Sequence, residues 1–303
     1  ETGVYISEVM ASNDTTVANS AADYTDWIEI YNSSAEAVDL SGYGLSDNLG
    51  RARKWQFPDG TLILPGEYKL IWCDGNKDMN SIGELHASYG LMKAGGFSVV
   101  LSDPTGKILD KLVLHEVPTN VSYGRTMGRE GFFYYDVATP GAQNGLTGFL
   151  GYAEAPQLSV TPGVHNQGTK VTFTIPEGTS VFYTTDGSVP TPYSTTSIAY
   201  TGQELELNFT TVLRARAFPV NEQYRESTVT TGTYLINARH EMPVVSVVVD
   251  PYELWNEENG MLANGPDIIK EGPGILPFKN TVYREFGKEP REGYVEYFTQ
   301  DGE

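Results

Sequence analysis

The stretch "DWIEIYN" (residues 26–32) puts Trp27, Glu29 and Tyr31 on one side of an extended chain and Ile28 and Ile30 on the other. A period of two marks a strand with one face in a core. The aliphatic side belongs inside. The aromatic–acidic–aromatic side suits three roles: a sugar platform, part of a cation site, or the plain outside of a sandwich.

Around it the chain breaks into short strands at the spacing of a β-sandwich. "VYISEVMAS" opens, and the polar loop "NDTTVANSAADYTD" leads into "WIEIYN". After the turn-rich "SSAEAVDLSGYGLSDN" come "KWQFP", "TLILP" and "GEYKLIWCD", and "FSVVLSD"–"PTG"–"KILDKLVL" reads as a hairpin. The expected inward set is Ile6, Val9, Ile28, Ile30, Leu40, Leu45, Trp55, Phe57, Leu62, Leu64, Leu70, Trp72, Val99, Leu101, Ile108 and Leu112.

The 303 residues exceed one ordinary domain, and two or three are expected. Strand-forming residues dominate, and 32 Gly and 17 Pro supply many turns, so the expected class is all-β. Thirty-nine acids against 20 bases leave a formal charge of −19, spread as 19 against 10 in 1–150, 7 against 4 in 151–238 and 13 against 6 in 239–303. Such a field repels phosphate backbones and disfavours nucleic acid, while it tolerates a cationic partner or divalent metal. The single cysteine, Cys73, permits no internal disulfide and is expected to be a buried structural thiol. No 18-residue apolar stretch is present, so no membrane insertion is expected. Both ends fall beside strand-like sequence, so a longer parent protein is expected.

From "ISEVMASN" through "DWIEIYN", "VDLSGYGLSD", "WQFPDGTLILPGEYKLIWCD", "LHASYGLMKAGGFSVVLSDPTGKILD" and "SYGR" to "TPGAQN", residues 1–150 resemble the lamin tail domain in its bacterial, secreted form. The resemblance implies an immunoglobulin-like sandwich and no enzyme, since the family's shared residues are core and turn positions. In nuclear lamins the domain serves protein interactions, and bacterial copies accompany surface proteins and secreted hydrolases. It also places Ile28 and Ile30 where the family buries aliphatics, so Trp27, Glu29 and Tyr31 are expected to face outward or toward a covering loop. Trp27 and Tyr31 are then candidate ligand contacts, with cross-strand packing as the plainer role. In "DGNKDMN", Asp74, Asn76, Asp78 and Asn80 alternate like calcium ligands. Met79 and Leu85 occupy the positions where an EF-hand wants Gly and Glu. The acidic loop with Asp14, Asp23 and Asp26 is a similar cation candidate.

Residues 155–237 bring a second set of short strands after a proline-marked linker. "VFYTTDGSVPTPYSTTSIAYTGQELELNFTTVLRARAF" resembles the β-sandwich at the C-terminus of chitobiases and β-hexosaminidases. That implies a spacer or accessory module able to touch carbohydrate. Asp186-Gly187 is expected to make a turn, Pro190 to stop the ladder and Tyr183 to pack inward. Glu204 and Glu206 share a strand face and read as solvated, not as a glycosidase pair.

Residues 238–303 begin with the β-branched run "MPVVSVVVD", then a short helix from Pro251 to Gly260, then a Gly/Pro-rich stretch, then the strand "REGYVEYFTQDG". One such strand pair cannot close a sheet, so it should pack on the second module or belong to a larger domain. The order "MPVVSVVVDPYELW", "GM", "REGYVEYFTQDG" resembles the start of the CotH-like spore-coat kinase family. That implies ATP-dependent protein phosphorylation with a divalent metal in the parent protein, by motifs beyond Glu303. "KAGGFS" opens a strand and lacks the helix of a phosphate loop. His86, His115, His165 and His240 lack metal-ligand spacing, and the sequons "NDT", "NSS", "NVS" and "NFT" carry little meaning in a bacterial protein.

The expected protein is thus a non-catalytic interaction and spacer piece of a CotH-like protein, extracellular or on a bacterial or spore surface. It is expected to bring no cofactor of its own, with calcium the one candidate ion. A protein or cell-surface glycan is the expected partner. A carbohydrate-binding accessory module and part of an ATP-dependent kinase are the alternatives.

Overall fold

The structure, a computed structural model, describes residues 3–76, 80, 83–239, 241–256, 260–263 and 291–299. The chain divides into two compact units, Glu1–Gly151 and Tyr152–Glu303.

The first unit contains β1 (Val4–Met10), β2 (Trp27–Asn32), β3 (Val38–Asp39), β4 (Gly44–Ser46), β5 (Trp55–Gln56), β6 (Leu62–Ile63), β7 (Tyr68–Trp72), β8 (Leu85–His86), β9 (Phe97–Ser102), β10 (Ile108–Leu114), β11 (Ser122–Gly124) and β12 (Phe133–Tyr135). They form a six-stranded sheet, ordered β12-β11-β1-β2-β7-β8, and a four-stranded sheet, β10-β9-β4-β5, with β3–β6 as a separate pair. β1 lies against β9 and β10, so the two sheets stack. Ile6, Val9, Ile28, Ile30 and Ile71 are fully buried, as are Leu45, Val99, Leu101 and Leu112 of the facing sheet. This is the immunoglobulin-like sandwich that the resemblance of residues 1–150 implies, with the aliphatic side of "WIEIYN" in its core.

Ile6 and Val9 are three residues apart, yet both are fully buried. A regular strand would put them on opposite faces. The register explains it: Ile6 stands opposite Ile30 and Glu8 opposite Glu29, with a bulge between them at Ser7. That extra residue turns Glu8 toward Glu29.

Five inward expectations are corrected. Leu70, half-buried, and Trp72 lie on the Trp27–Glu29 face, while Ile71 between them joins Ile28 in the core, so the phase of β7 is shifted by one. Leu62 and Leu64 are 52% and 55% exposed, while Ile63 between them is fully buried. β6 is only two residues long and pairs Ile63 with Val38, and a one-residue slip in phase exchanges the faces. Ile108 is exposed as well, at the end of β10 where the register shifts before Asp110.

The short strand β13 (Gly151–Tyr152) stands at the boundary. The second unit contains β14 (Gly163–His165), β15 (Thr169–Val171), β16 (Thr179–Thr184), β17 (Ile198–Tyr200), β18 (Leu205–Leu207), β19 (Thr211–Pro219), β20 (Tyr224–Arg225), β21 (Thr230–Ile236), β22 (Val244–Val249), α1 (Pro251–Trp255) and β23 (Gly293–Phe298). The main sheet runs β14-β21-β19-β16-β17, and β15–β18 forms a second layer. Val171, Phe173, Val181, Tyr183, Leu213 and Tyr234 belong to the buried core. Asp186-Gly187 turns as expected: Gly187 has φ +84°, and Asp186 Oδ1 accepts the Ser188 N–H at 3.0 Å.

β22 and β23 pair with each other and lay one face on the second module. Glu296 accepts the Thr233 N–H at 3.0 Å, Thr233 and Ser246 hydroxyls meet at 2.8 Å, and Val248 and Phe298 are buried. Asp250 caps α1 at Tyr252 N and also accepts the Val189 N–H at 2.7 Å. The helix is shorter than expected, ending at Trp255 with Asn256 as its cap, because the chain turns away there.

Candidate functional site

The second face of β2 continues across its neighbours in three rows. Met10, Trp27 and Trp72 stand side by side, then Glu8, Glu29 and Leu70, then Tyr5, Tyr31 and Tyr68. The face is not the plain outside of the sandwich.

Trp27 is fully buried in a cluster with Met10 and Trp72, against which Val17, Leu70 and Ala138 pack. It has no ring face to offer a pyranose. Tyr31 is half-buried; it stacks on Tyr68 at 4.3 Å between centroids and meets Tyr5 edge-on at 5.5 Å. Its ring face is taken by another ring. The exposed stacking surface expected of Trp27 and Tyr31 is therefore absent, because loops cover the first and neighbours the second.

Between these rows lie two carboxylic acids, Glu8 and Glu29, both wholly removed from solvent. Glu8 accepts hydrogen bonds from the Ser122 hydroxyl and, at 3.2 Å, from the Thr139 N–H. Glu29 accepts from Ser7 Oγ at 2.7 Å and from the Gly141 N–H at 2.5 Å. Burial pushes Glu8 up to about 7 against these hydrogen bonds. Burial does the same to Glu29, also to about 7, and the nearby Glu8 charge adds to it.

The covering turn is "TPGAQN", Thr139 to Asn144. Pro140 and Gly141 occupy its corners, Gly141 has φ +83°, and the Ala142 N–H closes on Thr139 O at 2.9 Å. These are the marks of a type II turn, whose third position wants glycine. Asn144 pins the far end, donating from Nδ2 to Arg125 O at 2.8 Å and to Ser7 O at 3.2 Å. Gly124, opposite Glu8, leaves the room: a Cβ there would stand 2.3 Å from Ser7 O and 3.0 Å from Asn144 Nδ2. Asn144→Ala should destabilise the first module by about 1–3 kcal/mol, since it removes the Nδ2 donor shared by Arg125 O and Ser7 O and the Oδ1 acceptor of the Thr139 hydroxyl. Urea titration checks this, and an unchanged midpoint would count against the pinning role.

Beside the turn, Arg125 and Asp110 form a two-pronged ion pair at 2.5 and 2.7 Å. The guanidinium also donates to Ile6 O at 2.8 Å and lies 4.5 Å over the Phe132 ring. Burial opposes Asp110 ionisation, but the Arg125 and Ile6 hydrogen bonds prevail and hold its pKa below the ordinary carboxylate value.

The described oxygens of "DGNKDMN" are engaged within the protein. Asp74 Oδ2 contacts His86 Nδ1 at 2.8 Å and its Oδ1 accepts the Asn76 N–H, while Asn80 Oδ1 accepts the His86 N–H at 2.6 Å. A buried histidine and a local turn thus occupy the oxygens that a calcium ion would need. Asn76 is exposed, and Asp78 lies outside the described residues. In the acidic loop, Asp14 and Asp23 are exposed and Asp26 is tied to the Leu91 N–H at 2.9 Å. Burial raises Asp26 to about 6. Among the described residues, no group of three or more His, Cys, Asp and Glu is arranged to hold a metal ion. Cys73 is buried, and that burial pushes its thiol well up, away from reactivity. Glu204 pairs with Lys170 at 2.7 Å, both exposed. His240 is outside the described residues.

The buried acid pair went unread in the sequence because its second member comes through a bulge and its cover lies over a hundred residues away. The signal was there in part: two inward aliphatics three apart require an irregular strand.

Residues 1–115 match the family model described as Lamin Tail Domain, and residues 160–231 match the one described as Chitobiase/beta-hexosaminidase C-terminal domain. The first match ends before β11, β12 and the turn over Glu8 and Glu29, which complete the first unit. No curated protein matches the chain. Both matched descriptions accord with immunoglobulin-like, non-catalytic modules, and neither match reaches the β22–β23 pair.

Proposed function

We propose that this chain is the interaction and spacer part of a larger bacterial protein, secreted or on the cell or spore surface, in which residues 238–303 begin a CotH-like domain. The observation that carries the reading is the β22–β23 pair. One face rests on the second module. The other bears Val245, Val247, Val295 and Tyr297, each between 57% and 64% exposed, beside the exposed Tyr252 and Trp255 of α1. A β-branched and aromatic face in open water is unfavourable by about 25 cal/mol per Å², and a further packing layer would cover it. The thiol of Cys73 and the carboxyls of Glu8 and Glu29 are held inside the first sandwich, which accords with a carrier role for the two sandwiches.

The test compares this chain with a version extended past residue 303. The extended protein should bind several-fold less of a hydrophobic dye and protect the amides of β22 and β23. Phosphate transfer from ATP should occur in it alone. Transfer by the present chain, or equal dye binding by both, would sink the reading.

A further inference from the structure

We propose that the Thr139–Asn144 turn is a proton-controlled latch: it is shut while Glu8 and Glu29 are uncharged beneath it, and lifts, taking Ala138 off the Trp27 cluster, as they ionise. The geometry sets this up. Glu8 and Glu29 are directly opposite on adjacent strands, where like charges repel, and neither touches solvent. The donors that hold them, Ser7, Ser122, Thr139 and Gly141, are all neutral. Two of those donors are backbone N–H groups of the turn itself. The groups that retain the protons are therefore the groups that retain the turn. Asn144, bonded to backbone carbonyls and, through Oδ1, to the Thr139 hydroxyl at 2.8 Å but to neither acid, is the anchor about which the segment from Ala138 to Gly141 swings, so opening also breaks the Thr139–Asn144 bond.

Of the other groups around the pair, Asp26 is raised into this range, and the rest are phenols or an ion pair. Tyr31 of β2 and Tyr68 of β7 are phenols, and burial holds Tyr68 at about 12. Tyr135 of β12 is also raised, chiefly by burial and further by the Glu8 charge. The Arg125–Asp110 pair is ionised throughout, since Asp110 lies below its ordinary value. Asp26, raised to about 6, is committed to Leu91 on a different loop.

The direction follows from linkage. With the turn shut the carboxyls hold their protons up to about pH 7; with it open, water returns them toward 4.5. Opening is therefore rarest below pH 4.5, grows from there to about pH 7, and levels off once the closed form ionises too.

Hydrogen exchange on the full chain tests the latch. After correction for the intrinsic pH dependence of exchange, the opening constant of the Thr139 and Gly141 amides should rise at least tenfold between pH 5 and 7, then flatten. The Ile28 and Ile30 amides in the same module report the global opening for comparison. Glu8→Gln combined with Glu29→Gln should flatten the turn's profile. If that pair of changes prevents folding, Glu29→Gln alone should lower its slope toward that of a single proton. A wild-type turn whose opening is constant from pH 5 to 7, or a slope untouched by the substitutions, would overturn the proposal.

Discussion

Trp27→Ala will cost the first module about 3–5 kcal/mol and lower its melting temperature by roughly 10 °C. The indole is fully enclosed by Met10 and Trp72, with Val17, Leu70 and Ala138 around it, so truncation leaves a cavity that strands β1, β2 and β7 cannot collapse to fill. The contrast with Trp27→Phe sharpens the argument. Trp27 Nε1 is buried and has no hydrogen-bond partner. Phenylalanine keeps most of the apolar contact and removes that orphaned donor, so its cost should stay under about 1.5 kcal/mol. Thermal melts followed by circular dichroism separate the two variants. A Trp27→Ala protein that melts like the wild type would restore the exposed-platform reading, because only an uncovered ring can be removed without loss.

Ile28 and Ile30 were legible as core because alternation is local and one sheet face suffices to reveal it. The opposite face of the same strand was not. What covers Trp27 comes from Val17 on one side and Ala138 on the other, and no periodicity within β2 announces a partner so far along the chain. The acidic member of the row illustrates the same limit. Glu29 is expected to face outward or toward a covering loop, and the Thr139–Asn144 turn, with the Ser7 bulge, decides for the loop. The "DGNKDMN" loop is a different case. Its oxygens do alternate, but His86, arriving parallel to β7 on β8, takes Asp74 and Asn80 for itself. Turn chemistry transferred best: Asp186-Gly187 and the helix start at Pro251 were both written in residues with fixed local preferences.

The buried acids also predict a module most stable in mild acid, an inversion of the usual pattern for a soluble protein. Glu8 and Glu29 have folded values of about 7 against 4.5 in the unfolded chain, and Asp26 about 6 against 3.8. A raised carboxyl binds its proton more tightly when folded, so its contribution is whole below the unfolded value and declines as pH rises toward the folded one. For the Glu8–Glu29 pair the decline should total on the order of 4 kcal/mol between pH 4.5 and 7.5, or roughly 10 °C in melting temperature. The charge of −19 pulls the same way, since self-repulsion relaxes as carboxylates take up protons. Asp110 sets the lower limit. Its folded value is depressed, so its contribution is present above 3.8 and disappears as pH falls below that. Stability should thus peak between about pH 4 and 5. Fluorescence can follow it in the full chain, because Trp27, Trp55 and Trp72 all lie in the first unit and only Trp255 in the second. Glu8→Gln combined with Glu29→Gln should remove most of the slope above pH 5 and leave the acid limb, which belongs to Asp110, in place. A melting temperature that climbs from pH 5 to 7.5 would mean that water or a cation reaches the pair, and that its carboxyls are ionised in the folded protein.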